Sequence, residues 1–284
     1  MKMFKKINSG LWLTASFALV LATGCNSPSS QDQSANQAVA DTIRKEVALS
    51  AESQNLLYSL PTPFEAATML EKAKAGYFFD ITNTPDNVVR YSTEISKALN
   101  LGIYSADLAY SVTYNRKDET AKFLACTNKL ADELGIAGVY DQSLLDKVKK
   151  YSDNRDTLRV LINRAFGQTN DFLSKNNRNQ VAVLIATGAF AEGIFLASAL
   201  AEVSIRDNSK IVAVLAAQQT NYGKLMTILT AYENDQEMKE VAENMARLTY
   251  FWTNYGIMDG KSIPMGKMVE VVELARSVRD RIVK

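Results

Sequence analysis

The stretch QVAVLIATGAFAEGIFLASALAEV, residues 180–203, carries only two charges, Glu192 and Glu202, in an otherwise apolar or small-residue run. A helix that is apolar all round is buried all round. This stretch is therefore expected to be the central helix of an all-α fold. Ala189, Gly193, Ala197 and Ala201 recur every four residues and form a ridge of small side chains. Such a ridge lets another helix approach closely. The competing reading is a membrane span with a small-xxx-small seam. Its marginal length, the central Glu192 and the lack of an aromatic belt all favour a core helix.

The segments on either side repeat the helical period. Leu158, Leu161, Ile162, Ala165, Thr169, Phe172 and Leu173 share one face between Asn154 and Ser174. Asp207-Asn208 is expected to start a helix with Ile211, Val214, Leu215, Tyr222, Leu225 and Leu229 inward. Asp235 is expected to start the next, with Met238, Val241, Met245, Leu248 and Trp252 inward. Pro264 precedes a last helix whose Met268, Val271, Val272, Ala275, Val278 and Ile282 alternate with charge. Toward the N-terminus, Thr62-Pro63-Phe64-Glu65 reads as a capping box with proline at the first helical position, and Gly76 as the stop. Thr84-Pro85-Asp86 repeats the start signal ahead of a long helical region, bent near Asn100 to Gly102. Tyr77 to Ile81 is the one short strand candidate. The expectation is a multi-helix bundle or stack of helical hairpins, with about nine or ten helices, in a single all-α domain over residues 41–284.

Residues 1–25, MKMFKKINSGLWLTASFALVLATGC, place three lysines before a short apolar run. That is the layout of a secretory signal, and the run is too short for an ordinary membrane span. Leu21-Ala22-Thr23-Gly24-Cys25 matches a lipobox. Cleavage before Cys25 is expected to remove residues 1–24 and leave Cys25 lipidated. Several acyl chains hold a protein durably, because each buried CH₂ contributes about 0.8 kcal/mol. Residues 25–40 then form a polar tether with little apolar surface to pack. Asn26 is not the aspartate of the inner-membrane retention signal, and no acidic cluster follows Cys25. The expected location is the outer membrane, facing the periplasm.

Composition narrows the chemistry. There are 32 basic and 31 acidic side chains and no histidine. Balanced charge gives no electrostatic case for nucleic acid. Lack of histidine excludes Ser-His-Asp and Cys-His catalysis and imidazole-based zinc sites. With Cys25 acylated, Cys126 is alone, so neither an internal disulfide nor a thiolate cluster can form. Cys126 sits among helical apolar positions and is expected to be a small core residue. No cofactor or metal motif is present.

Two carboxylates fall in apolar helices: Asp107 in IYSADLAYS and Glu192 in the central stretch. A carboxylate in such surroundings is paired, protonated or facing a cavity. Two of them could act as an acid/base pair; alternatively each accepts hydrogen bonds from a tyrosine, an arginine or a helix N-terminus. Tyr104, Tyr110, Tyr114, Tyr222 and Tyr255 are candidate donors, and Gln218 and Asn221 could join the network. Tyr250-Phe251-Trp252 and Tyr255 could line a ligand slot, although aromatics at helical spacing ordinarily form core.

The lipobox, together with YSLPTPFEAATML (58–70) and LNLGIYSADLAYSVTYN (99–115), resembles a group of uncharacterised all-helical lipoproteins of Bacteroidota, over roughly residues 56–200. The resemblance implies a lipid-anchored helical body and carries no activity or functional residue. The expected function is a non-enzymatic structural or binding module, held to the membrane by its lipid, with a protein partner or small ligand that the sequence does not name. One alternative is a carboxylate-dependent hydrolase of envelope glycan or peptide using Asp107 and Glu192. The other is a carrier of apolar ligands, which requires a cavity between helices.

Overall fold

Caps and turns divide the chain into α1 (Pro63–Lys72), α2 (Glu94–Thr113), α3 (Lys117–Glu133), α4 (Gln142–Lys150), α5 (Arg155–Lys175) and α6 (Asn179–Val203). There follow α7 (Ser209–Ala217), α8 (Gln219–Thr230), α9 (Gln236–Ala246), α10 (Thr249–Asn254) and α11 (Met265–Val283). The computed structural model describes residues 52–136, 138–139, 142–204, 207–255, 257 and 261–284. No strand occurs among them, so the fold is all-α. The expected signal segment, Cys25 and the tether lie outside the described residues.

The capping box at α1 forms as its residues dictate. The Thr62 amide donates to Glu65 Oε2 at 2.7 Å, and the Glu65 amide donates to Thr62 Oγ1 at 3.3 Å. The helix stops before Gly76, however. Lys74 takes the left-handed turn with φ 63°. The Ala75 amide then reaches Leu70 O at 3.0 Å, a closing bond that satisfies a last-turn carbonyl. Tyr77 to Ile81 is no strand; Phe79–Ile81 is one 3₁₀ turn. Thr84-Pro85 opens a second 3₁₀ turn, Pro85–Arg90. The long helix α2 begins later, where Thr93 and Ser96 cap each other reciprocally. Asp235 caps α9 as expected, accepting from the amides of Glu237 and Met238. The helix expected from Asp207-Asn208 is divided at Gln218 into α7 and α8.

Helix α6 lies at the centre. Its most extensive neighbour is α2, followed by α11, and α1, α5, α7 and α8 also pack against it. Among the described residues it is the one helix long and apolar enough to cross a membrane, yet 78% of its apolar window is buried inside the fold. Val183, Leu184, Ile194, Phe195 and Leu200 are all sealed from water. Each such side chain contributes about 1.5–3 kcal/mol.

The contact between α2 and α6 is backbone on backbone. A Cβ placed on Gly188 would lie 1.8 Å from Leu99 O, and one on Gly102 would lie 2.0 Å from Ile185 O. Gly102 therefore does not bend α2, which runs unbroken from Glu94 to Thr113. It admits α6. The buried Asn100 next to it donates to Ile282 O at 2.9 Å, giving a partner to a last-turn carbonyl of α11.

Three tyrosines of α2 and its C-terminal cap hold the irregular stretch between α1 and α2. Tyr104 donates to Thr84 O at 2.8 Å, Tyr110 to Gly76 O at 2.9 Å and Tyr114 to Ala75 O at 2.8 Å. Carbonyls outside regular structure need such partners when buried. Phe251 and Trp252 are plain core, with Trp252 Nε1 donating to Leu215 O at 3.0 Å; Tyr250 is exposed. Cys126 is a buried core residue beside Pro85 O, and burial pushes its thiol up to about 11.

Candidate functional site

The fold brings Asp107 and Glu192 together. Asp107 sits in the run of α2 from Ala98 to Thr113, in which every residue is buried. Glu192 lies on α6, and both carboxylates are 0% exposed. The charge of Glu192 acts on the Asp107 carboxyl, and both acids act on the same guanidinium. A third residue completes the cluster. Arg279 of α11 grips Glu192 with both arms, Nε to Oε2 at 2.8 Å and Nη2 to Oε1 at 3.2 Å. Its guanidinium also lies 4.9 Å from the centre of the Phe195 ring. Two-armed pairing of this kind orients both partners as well as neutralising charge.

The segment before α2 supplies the remaining contact. The Asn83 amide donates to Asp107 Oδ2 at 3.0 Å. Asn83 is itself held in place: its Nδ2 donates to Tyr91 Oη at 3.0 Å, and its Oδ1 accepts from Asn87 at 2.9 Å. Asp107 Oδ1 is buried with no hydrogen-bond partner. Four of the candidate tyrosine donors are committed elsewhere. Tyr104, Tyr110 and Tyr114 hold backbone carbonyls, and Tyr222 bonds at Met245 O and Thr249. Gln218 and Asn221 bond to each other, outside the cluster.

Burial raises the Asp107 carboxyl well above the usual carboxylate range, and the charge of Glu192 adds to this. Arg279 and the Asn83 amide pull the other way without offsetting it. For Arg279, burial opposes the charged form, but the Glu192 carboxylate more than compensates, so the guanidinium is held more firmly protonated than in water. Burial likewise raises Tyr104 and Tyr110. The cluster is an electrostatic clamp joining α2, α6, α11 and the segment around Asn83. Acid/base work on a substrate needs a carboxyl within hydrogen-bond reach of the reacting atom, and both acids here are sealed from solvent. Among the described residues, no group of three His, Cys, Asp or Glu side chains is placed to hold a metal ion.

Arg279 and Asn83 were not foreseen from sequence. Arg279 carried a signal, because it lies seven residues after Val272 and four after Ala275, on the apolar stripe of α11. A cation on such a stripe calls for a buried partner. Asn83 carried none, since it acts through its backbone.

A second feature opens along α6. Gly193 and Ala197 do not receive α2, which crosses α6 at Gly188 and the Ala189 amide. They floor a groove of about 250 Å³, walled by residues 57–66, α5 and α7. A Cβ on Gly193 would meet nothing within 4 Å. Phe166, Phe190 and Leu60 supply apolar wall, while Asn163, Asn170 and Gln218 supply amide groups. Among the described residues, no acidic or basic side chain lines it. Another cavity, of about 330 Å³, lies between α3 and α4 beneath Arg116 and Lys117. Those two cations are already paired with Glu119 and Asp153.

No family model, curated protein or solved structure matches this chain.

Proposed function

We propose that this protein is a lipid-anchored envelope module, held at the outer membrane facing the periplasm, that binds an uncharged, mainly apolar ligand without transforming it. The observation that carries the binding reading is the charge-free groove along α6. Ligand pockets are concave, mostly apolar and furnished with a few polar groups that fix orientation, and Asn163, Asn170 and Gln218 are such groups. An ionic ligand would lose its hydration there and find no counter-charge. The anchor rests on the lipobox ending at Cys25. Hydrolysis by Asp107 and Glu192 finds less support, because both acids are fully buried behind Arg279 and Asn83.

The ligand reading is tested with N-phenyl-1-naphthylamine, an uncharged apolar fluorophore, titrated into the mature chain carrying Cys25→Ser. Saturable enhancement is expected. Gly193→Leu should weaken binding about tenfold or more, equivalent to about 1.4 kcal/mol, with no fall in melting temperature, because its side chain enters open space. Equal binding by the two chains would remove the groove from the account. The anchor has its own test. Cys25→Ser should abolish metabolic labelling with palmitate and leave an uncleaved precursor, and label retained by the variant would remove the lipid anchor.

A further inference from the structure

We infer that Asp107 and Glu192 share a single proton in the native protein, with Asp107 as its carrier, so that the core contains a proton-binding site joining α2, α6, α11 and the segment around Asn83. Charge balance is the first reason. Two carboxyls face one guanidinium, both carboxyls are 0% exposed, and the Arg279 side chain is 12% exposed. With both acids ionised, the site would hold one uncompensated negative charge away from water, which the interior tolerates poorly. A proton on one acid removes it.

Hydrogen-bond geometry says which acid. Both oxygens of Glu192 accept from Arg279. Asp107 accepts one amide at Oδ2, while its buried Oδ1 has no partner, and Glu192 is the neighbouring acid whose charge acts on it. Two carboxylates are acceptors only and cannot bond to each other. A hydrogen on Asp107 Oδ1 makes it a donor to Glu192 and gives the orphan oxygen its partner. Two acids sharing one proton is the usual outcome when two carboxyls occupy one buried site.

The other titratable groups facing Asp107 do not supply the missing positive charge. Tyr77 comes from the segment before α2, Tyr104 and Tyr110 from α2 itself, and Cys126 from α3. All are neutral acids that burial keeps protonated. Arg279 is the cation facing the pair, and its charge is matched by Glu192.

The linkage has a definite sign. The native Asp107 carboxyl is raised above its unfolded value, so the folded chain keeps a proton that the unfolded chain releases. The contribution of Asp107 to stability is then greatest on the acid side and falls as pH rises from the unfolded pKa, near 4, toward the folded one. Asp107→Asn reproduces the protonated acid, with a carbonyl to accept from Asn83 and an amide to donate to Glu192, and it takes up no proton. Urea unfolding of the full chain between about pH 5 and pH 8 should show the folding constant of Asp107→Asn gaining on that of the wild type as pH rises, with a limiting slope of about tenfold per pH unit below the folded pKa. Identical pH dependence in the two chains would overturn the inference. Infrared spectroscopy of the wild type gives an independent reading. At neutral pH it should show the carbonyl stretch of a buried protonated carboxylic acid, absent from Asp107→Asn, and an unprotonated wild type would also overturn it.

Discussion

Gly188→Ala is expected to destabilise the fold by about 3 kcal/mol, at the upper end of overpacking costs. The methyl carbon would lie 1.8 Å from Leu99 O, far inside van der Waals contact. A neighbouring side chain could turn aside, but here the obstacle is the backbone of a buried helix, so α2 and α6 must separate along their length. Gly102→Ala meets Ile185 O at 2.0 Å and Ala189 N at 2.6 Å, and should be comparably harmful. Both act at one interface, so the double variant should cost less than the sum of the two singles: the separation forced by one methyl makes room for the other. Gly193→Ala is the control on the same helix. Its Cβ meets nothing within 4 Å, so it should stabilise by roughly 0.5–1 kcal/mol through the higher helix propensity of alanine. Urea denaturation followed by far-ultraviolet circular dichroism measures all four. Near wild-type stability in Gly188→Ala would mean that α2 and α6 do not cross at their glycines. Total stability in domains of this kind is about 5–15 kcal/mol, so the loss is a large share of it.

Separating Glu192 from Arg279 should be as damaging. Glu192→Gln removes the two-armed partner of Arg279 and leaves Asp107, on releasing its proton, as a more distant counter-charge, while Arg279→Met leaves Glu192 beside Asp107 with no cation. Removal of one partner from a buried pair costs about 3–5 kcal/mol. Combining Glu192→Gln with Arg279→Met leaves no unpaired charge, and the amide carbonyl introduced on α6 can still accept from Asp107. That double variant should be more stable than the sum of the singles predicts, with a coupling of about 2 kcal/mol. The singles should also differ in acid. Carboxyls can take up protons, so mild acid should partly rescue Arg279→Met. A guanidinium does not release its proton in this range, so acid should not rescue Glu192→Gln. Thermal melts of the four chains at neutral and mildly acidic pH test both points. Additive losses would show that the pair contributes no interaction of its own.

Particular residues show how far the site could be read in advance. Asp107 and Glu192 stood out because each is a charge inside an apolar helical run, and both are buried where that pattern implied. Their meeting did not stand out, because they are on different helices and no local spacing relates them. The sequence offers tyrosines by number and an arginine only by type, and Arg279 holds the site. The small-residue ridge on α6 is legible in the sequence, and α2 approaches closely at its first member, Ala189, but not at Gly193. The close helix approach runs over Gly188, one residue from Ala189, while Gly193 faces open groove. Gly102 suggests a bend in the sequence and is a crossing point in the fold.

The sequence by itself determined what depends on neighbours within a turn or two. It set the helical periods, the caps at Thr62 and Asp235, and the burial of a nearly chargeless α6, because hydrogen bonds and face patterns of that kind close over three to four residues. Only the tertiary structure decided which faces meet. The Glu192–Arg279 contact spans 87 positions. Whether a glycine admits a helix, as Gly188 does, or leaves a space, as Gly193 does, is settled by what packs opposite it, and a partial rotation around α6 separates the two outcomes.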